Sequence, residues 1–182
     1  PRAVSEFAAH RQAGERDVLI LTKTNARATV HRPGYMDYIG VLVYDENGVA
    51  VAEQRFLGLY TSGAYNRRPW EIPLVRRRHD QIMERSGLSA ASHSGKALRH
   101  ILDTLPRDEL FQSSADELFT TVMGILALQE RVRSRLFLRR DRYGRVFSGL
   151  GYIPRDRVSG EVRNPIETLL RDALQGERLD SG

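Results

Sequence analysis

Two stretches of this chain gather side chains that could hold a small polar molecule: Thr29-Val-His-Arg-Pro-Gly-Tyr-Met-Asp-Tyr38 and Tyr60-Thr-Ser-Gly-Ala-Tyr-Asn-Arg67. If a sheet brings them together, His31, Arg32, Asp37, Tyr60, Thr61, Ser62, Tyr65 and Arg67 could line a concavity for a carboxylate or an amino-acid effector. Arginine would supply the bidentate clamp. Tyrosine and arginine are equally the residue types that anchor one protein surface on another. Residue type alone leaves both readings open, and anchoring is the weightier.

Other constellations point away from chemistry. His79, His93 and His100 invite a metal assignment, but His93 and His100 stand seven apart, beyond the i, i+4 reach of a shared ion. All three are expected at the surface, and no metal site is expected. Ser62 lacks the Gly-x-Ser-x-Gly elbow of a hydrolase nucleophile. Gly149-Leu-Gly151-Tyr-Ile-Pro154 is a poor dinucleotide fingerprint, with proline where the last glycine belongs, so no cofactor is expected on this chain. Asp103, Asp108, Glu109, Asp116 and Glu117 form an acidic stretch best explained by helix ends, where negative charge favours the dipole.

The 182 residues carry a formal charge of +5, and Lys23 and Lys96 are the only lysines in an arginine-rich chain. An arginine excess can mark an acidic partner, and a basic RNA-binding module is the rival reading. Yet the arginines alternate with carboxylates, as solvated helix faces do, and no RNA-recognition signature accompanies them. With no cysteine, thiolate metal sites and thiol nucleophiles are excluded. Without an apolar run of about 20 residues or a signal-peptide core, the expectation is a cytoplasmic protein with no membrane contact.

The periodicities that must position these residues predict an α+β fold. A helix is expected over Ala3–Ala13, then strands at Val18–Thr22, Met36–Tyr44 and Val49–Leu59, the last two joined through Asn47-Gly48. After Pro73 the period becomes 3.6. Helices are expected from Pro73 to Gly87, from Ser94 to a stop at Pro106, and from an N-cap at Ser114, with Glu117 as its capping-box partner, to about Arg131. Two strands follow around Asp141-Arg-Tyr-Gly144, and a last helix begins at Asn164 or Pro165 and runs to Leu174.

The string Leu136-Phe-Leu-Arg-Arg-Asp-Arg-Tyr-Gly-Arg-Val-Phe-Ser-Gly-Leu-Gly-Tyr-Ile-Pro-Arg-Asp-Arg157, with Leu21–Gly40, Arg55–Asn66 and Ile72-Pro-Leu74, resembles the N-terminal regulatory region of the large bacterial NAD-dependent glutamate dehydrogenases. The resemblance runs from about Val18 to Arg163. Beyond the N-terminal helix that spacing places within 1–16, it implies a PAS-like antiparallel sheet over 17–66, a helical connector over 67–133 and a partial ACT-type ββα unit over 134–182. It also implies a non-catalytic regulatory or oligomerisation segment of a homo-oligomeric parent, whose NAD and glutamate sites lie elsewhere. An ACT module needs four strands, so the unit is expected to stop short of completion and to pair with another chain through residues 135–153.

Overall fold

The computed structural model describes residues 18–30, 33–128, 133–141, 143–144, 146–154, 156, 160–176 and 179. The helix expected at Ala3–Ala13, His31 and Arg32, and the end of the third predicted helix at Arg131, lie outside them.

The class is α+β. β1 (Leu19–Ala28), β2 (Gly34–Tyr44) and β3 (Ala50–Gly58) form an antiparallel sheet in the order β1-β2-β3. Asp45 closes the β2–β3 turn by accepting the Asn47 and Val49 amides at 3.0 and 2.8 Å, and Gly48 takes the positive φ of 75° that the turn requires. β1 outlasts the predicted end at Thr22. An irregularity between Lys23 and Arg27 absorbs the polar Thr24-Asn25 pair and lets pairing resume to Ala28.

The helices build the core. α1 (Ser62–Asn66) and a 3₁₀ turn (Pro69–Glu71) lead into α2 (Pro73–Ser86), which ends at left-handed Gly87 as the C-cap rule expects. α3 (His93–Thr104) is capped by Ser92, whose hydroxyl accepts the Gly95 amide at 3.0 Å. α5 (Ala115–Leu126) carries the predicted capping box, with the Ser114 amide donating to Glu117 at 2.8 Å. Val75 and Ile82 of α2, Leu98 and Leu102 of α3, and Leu118 and Val122 of α5 are all buried to 2% exposure or less. His79 shares the inward stripe of α2 and is buried, against the surface position expected of it, because it stands four residues from Val75 and three from Ile82. His93 and His100 are exposed as expected.

Between α3 and α5 stands an element the sequence reading missed. α4 (Arg107–Gln112) follows Pro106, which was read as a stop. The Pro106 carbonyl instead accepts the Glu109 and Leu110 amides at 3.0 and 3.3 Å, so the proline that ends one helix opens the next. Leu110 and Phe111 enter the core, and α4 packs on β1.

β4 (Arg135–Arg140) and β5 (Phe147–Tyr152) form a separate two-stranded ribbon. Its turn has Gly144 at φ 67° and Asp141 accepting the Val146 amide at 2.9 Å. Phe137, Leu150 and Tyr152 pack against the helical core, so the ribbon lies on the helices. α6 (Gly160–Ala173) starts earlier than predicted and holds Pro165 inside it, where the ring forfeits one ladder bond just past the first turn.

Ribbon and helices approach closely at Gly124, where a Cβ would stand 2.6 Å from the Phe137 ring. Gly124→Ala is therefore expected to cost about 1–3 kcal/mol by overpacking. Thermal unfolding of Gly124→Ala, Phe137→Leu and the double variant measures this, and the double variant should recover part of the loss through coupling.

Candidate functional site

Three of the residues singled out for binding, Asp37, Tyr60 and Tyr65, meet in a charged cluster between the first sheet and the helices. Lys23 and Asp37 are directly opposed across β1 and β2, on the face that turns Leu21 toward the helical core. The Lys23 ammonium donates to Asp37 Oδ1 at 2.6 Å and lies 3.2 Å from Asp108 Oδ1 at the start of α4. The other Asp37 oxygen accepts the Tyr60 backbone amide at 2.7 Å. Tyr65 of α1 donates its hydroxyl to Asp108 at 3.3 Å, and the Tyr60 ring stacks against Phe111 and edge-on to Tyr65.

Both Asp37 oxygens are thus engaged, and the side chain is only 3% exposed. Burial disfavours the charged form of Lys23, but the Asp37 hydrogen bond and the charges of Asp108 and Asp37 outweigh it and hold the amine up at about 12. An amine so firmly protonated serves as a fixed cation, with no free pair for Schiff-base or general-base work. Burial likewise pushes the Tyr60 hydroxyl up to about 12.

A second cluster joins the helices to the ribbon. Glu109, next to Asp108 in α4, accepts a two-pronged bond from Arg139, with Nε to Oε2 and Nη2 to Oε1 each at 3.1 Å. The hydroxyls of Ser148 and Ser113 donate to the same carboxylate. Arg139 and Ser148 are cross-strand partners on the inward face of the ribbon, so a single register delivers both. Burial would raise the Glu109 carboxyl, but hydrogen bonds from Arg139 and Ser148, with the charge of Arg139, hold it below the usual carboxylate range. The dipole explanation for the acidic stretch is therefore incomplete: Asp108 and Glu109 do stand in the first turn of α4, and they also face two different sheets.

Of the predicted residues, the structure brings Asp37, Tyr60 and Tyr65 together. Thr61 and Ser62 are exposed at the start of α1. Arg67 is exposed, and its carbonyl accepts from Arg107 at 3.2 Å. Sequence reading missed Lys23, Asp108, Glu109, Arg139 and Ser148 as a working set. The one hint was Lys23 itself, a lysine where the chain otherwise uses arginine.

Glu109 and Arg139 are about nine-tenths buried, so removing one partner strands the other. Glu109→Ala should cost about 3–5 kcal/mol, against under about 0.5 for Arg163→Ala in the exposed α6 pair with Glu167. Urea unfolding of the two variants makes the comparison. The depressed Glu109 carboxyl contributes stability above its unfolded value of 4.5, and that contribution disappears as pH falls through the lower folded value. Stability should therefore drop below about pH 4.5 in the wild type and less steeply in Glu109→Gln, as a denaturant midpoint series against pH would record.

The family model for glutamate dehydrogenase helical motif 1 matches residues 72–131, and that for the glutamate dehydrogenase ACT2 domain matches residues 135–181. The NAD-specific glutamate dehydrogenase of Pseudomonas aeruginosa is 43% identical over 158 residues, covering 87% of this chain. That of Halomonas elongata is 41% identical over 86% of the chain, and that of Mycobacterium tuberculosis 34% over 90%. In each case the chain spans about a tenth of the relative's length. No solved structure matches. With helical motif 1 falling on α2–α5 and the ACT2 model on the ribbon and α6, and with relatives 34–43% identical over most of its length, the chain belongs to the NAD-specific glutamate dehydrogenase family.

Proposed function

We propose that this chain is a non-catalytic docking and regulatory segment of an NAD-dependent glutamate dehydrogenase. The parent reaction would convert L-glutamate, NAD+ and water to 2-oxoglutarate, NADH and ammonium, with substrate and NAD held in other parts of the polypeptide. One observation carries the reading: the buried carboxylates Asp37 and Glu109 are spent on internal contacts, while large apolar side chains stay in water. Asp37 and Glu109 bond to lysine, arginine, hydroxyl and amide donors of the same chain. Meanwhile Leu136, Leu138 and Phe147 on the outer face of the ribbon are 41–46% exposed, and Leu169 of α6 is 66% exposed. Apolar patches left this way mark surfaces that other protein covers.

On this reading Asp37, Tyr60 and Tyr65 anchor the first sheet, and His31, Arg32, Thr61, Ser62 and Arg67 serve an interface with another domain of the parent rather than an effector site. The PAS-like reading of β1–β3 draws on the sequence resemblance, and the antiparallel order is compatible with it. Among the described residues no helix is long and apolar enough to cross a membrane. A cytoplasmic place with the parent enzyme completes the proposal.

In the intact enzyme, deleting residues 17–66 should impair assembly, read by sedimentation, more than it alters the response to amino-acid effectors. The isolated chain should produce no NADH from glutamate and NAD+. Its Trp70 fluorescence should show no saturable change with glutamate. Turnover by the chain alone would overturn the non-catalytic assignment, and saturable binding would restore the effector site.

A further inference from the structure

We propose that β3 pairs with β3 of a second copy of this chain, antiparallel, about a two-fold axis through Gln54. The inference names a partner for one surface of the docking segment and rests on that reading. β3 is bonded on one side to β2, and among the described residues no strand lies on its other side. An open edge is a row of unpaired amides and carbonyls that proteins usually block with a bulge, a proline or an isolated charge. The opposite edge, β1, is interrupted between Lys23 and Arg27. β3 runs from Ala52 to Gly58 in regular register with β2, and its only shift, at Val51, lies toward the turn.

The order of residues along β3 is self-complementary. In a two-fold antiparallel pair centred on Gln54, each residue faces the one equally far on the other side of the centre. Glu53 then faces Arg55 of the copy, Ala52 faces Phe56, and Val51 faces Leu57 at the margin. Opposite charges meet twice, a small side chain meets a large one, and aliphatic meets aliphatic. These are the cross-strand pairings that stabilise a sheet. Neighbouring registers lose this. Centring on Arg55 sets arginine against arginine, and centring on Glu53 sets glutamate against glutamate, both destabilising.

Exposure agrees. Val51, Phe56 and Leu57 are 56%, 49% and 56% exposed on a strand that would be half-covered in an extended six-stranded sheet. The Glu53 side chain is itself only 3% exposed and is held by the Tyr38 hydroxyl and by Arg55 Nε of its own chain, so the accessible member of the charge pair is Arg55, 53% exposed, which would extend this bonded pair to the copy. A two-fold interface of this kind is isologous and closes on itself, so it yields a dimer without templating a fibre.

Because the chain contains no cysteine, Gln54→Cys introduces a single thiol at the axis. Directly opposed residues in an antiparallel pair have Cα atoms about 4.5–5.5 Å apart, within the span a disulfide accepts. Mild oxidation of the 182-residue chain should link Gln54→Cys into a dimer at least about tenfold faster than Asn47→Cys, placed in the exposed β2–β3 turn. In sedimentation, Arg55→Glu should weaken the wild-type dimer at least about tenfold by facing Glu53. Phe56→Glu, on the other face of the strand, serves the same end should Arg55→Glu not fold. Three results would overturn the pairing: a wild-type monomer at the highest soluble concentration, equal linking of the two cysteine variants, or a dimer unmoved by both β3 changes and broken by Leu138→Glu in the ribbon. Any of these would leave the deletion result on the intact enzyme, and with it the docking role, standing.

Discussion

Two adjacent carboxylates in a six-residue helix hold this molecule to one arrangement. Asp108 meets Lys23 of the first sheet and Tyr65 of α1, and Glu109 meets Arg139 and Ser148 of the ribbon. The residue before them, Arg107, reaches the Arg67 carbonyl, and the two after them, Leu110 and Phe111, fill the core while their carbonyls accept from Arg78 at 2.7 and 2.8 Å. Successive helical positions point about 100° apart, so neighbours in α4 must face different elements. A short helix wedged between two sheets can therefore bind both at once.

These contacts matter more for geometry than for net stability. A buried ion pair recovers little beyond its desolvation cost, whereas a buried leucine contributes roughly 1.5–3 kcal/mol, so the α2–α5 core supplies the stabilising free energy. The charged pairs do something the core cannot. Lys23 lies opposite Asp37, and Arg139 lies opposite Ser148, so each cluster sits on a directly opposed cross-strand pair. Slipping either strand by one residue would turn its charged side chain to the other face and leave a buried carboxylate unpaired. Hydrophobic contacts tolerate sliding, and these pairs forbid it.

What could be read from the chain follows the range of the physics involved. Turns and caps depend on neighbours a few residues apart, and there the reading held: Gly48 and Gly144 take positive φ, Gly87 ends α2, and Ser114 with Glu117 opens α5. Longer amphipathic helices announced themselves by period. α4 is too short for a period to emerge, and its proline looked like a terminator. The site fared worse still. Arg139 and Glu109 are 30 residues apart and Tyr60 and Asp37 are 23, so nothing local couples them. Three of the eight chosen residues do converge, because strand pairing and the chain reversal after β3 were themselves legible. Their partners were not, since a buried lysine or glutamate looks in sequence like any solvated one.

The protonation of the clusters constrains how a signal could pass through this segment. Lys23 titrates near 12, and Glu109 titrates below its ordinary value, so both stay charged across the neutral range. A proton is thus a poor switch here. A neighbour that competed for Arg139, or pressed on Phe137 against Gly124, would instead shift the ribbon on the helices by displacement. Such a neighbour would meet the ribbon first on its outer face, where Leu138 packs across the bare Cα of Gly149. The exposed face and the donors to the buried Glu109 carboxylate, Arg139 and Ser148, belong to the same two strands.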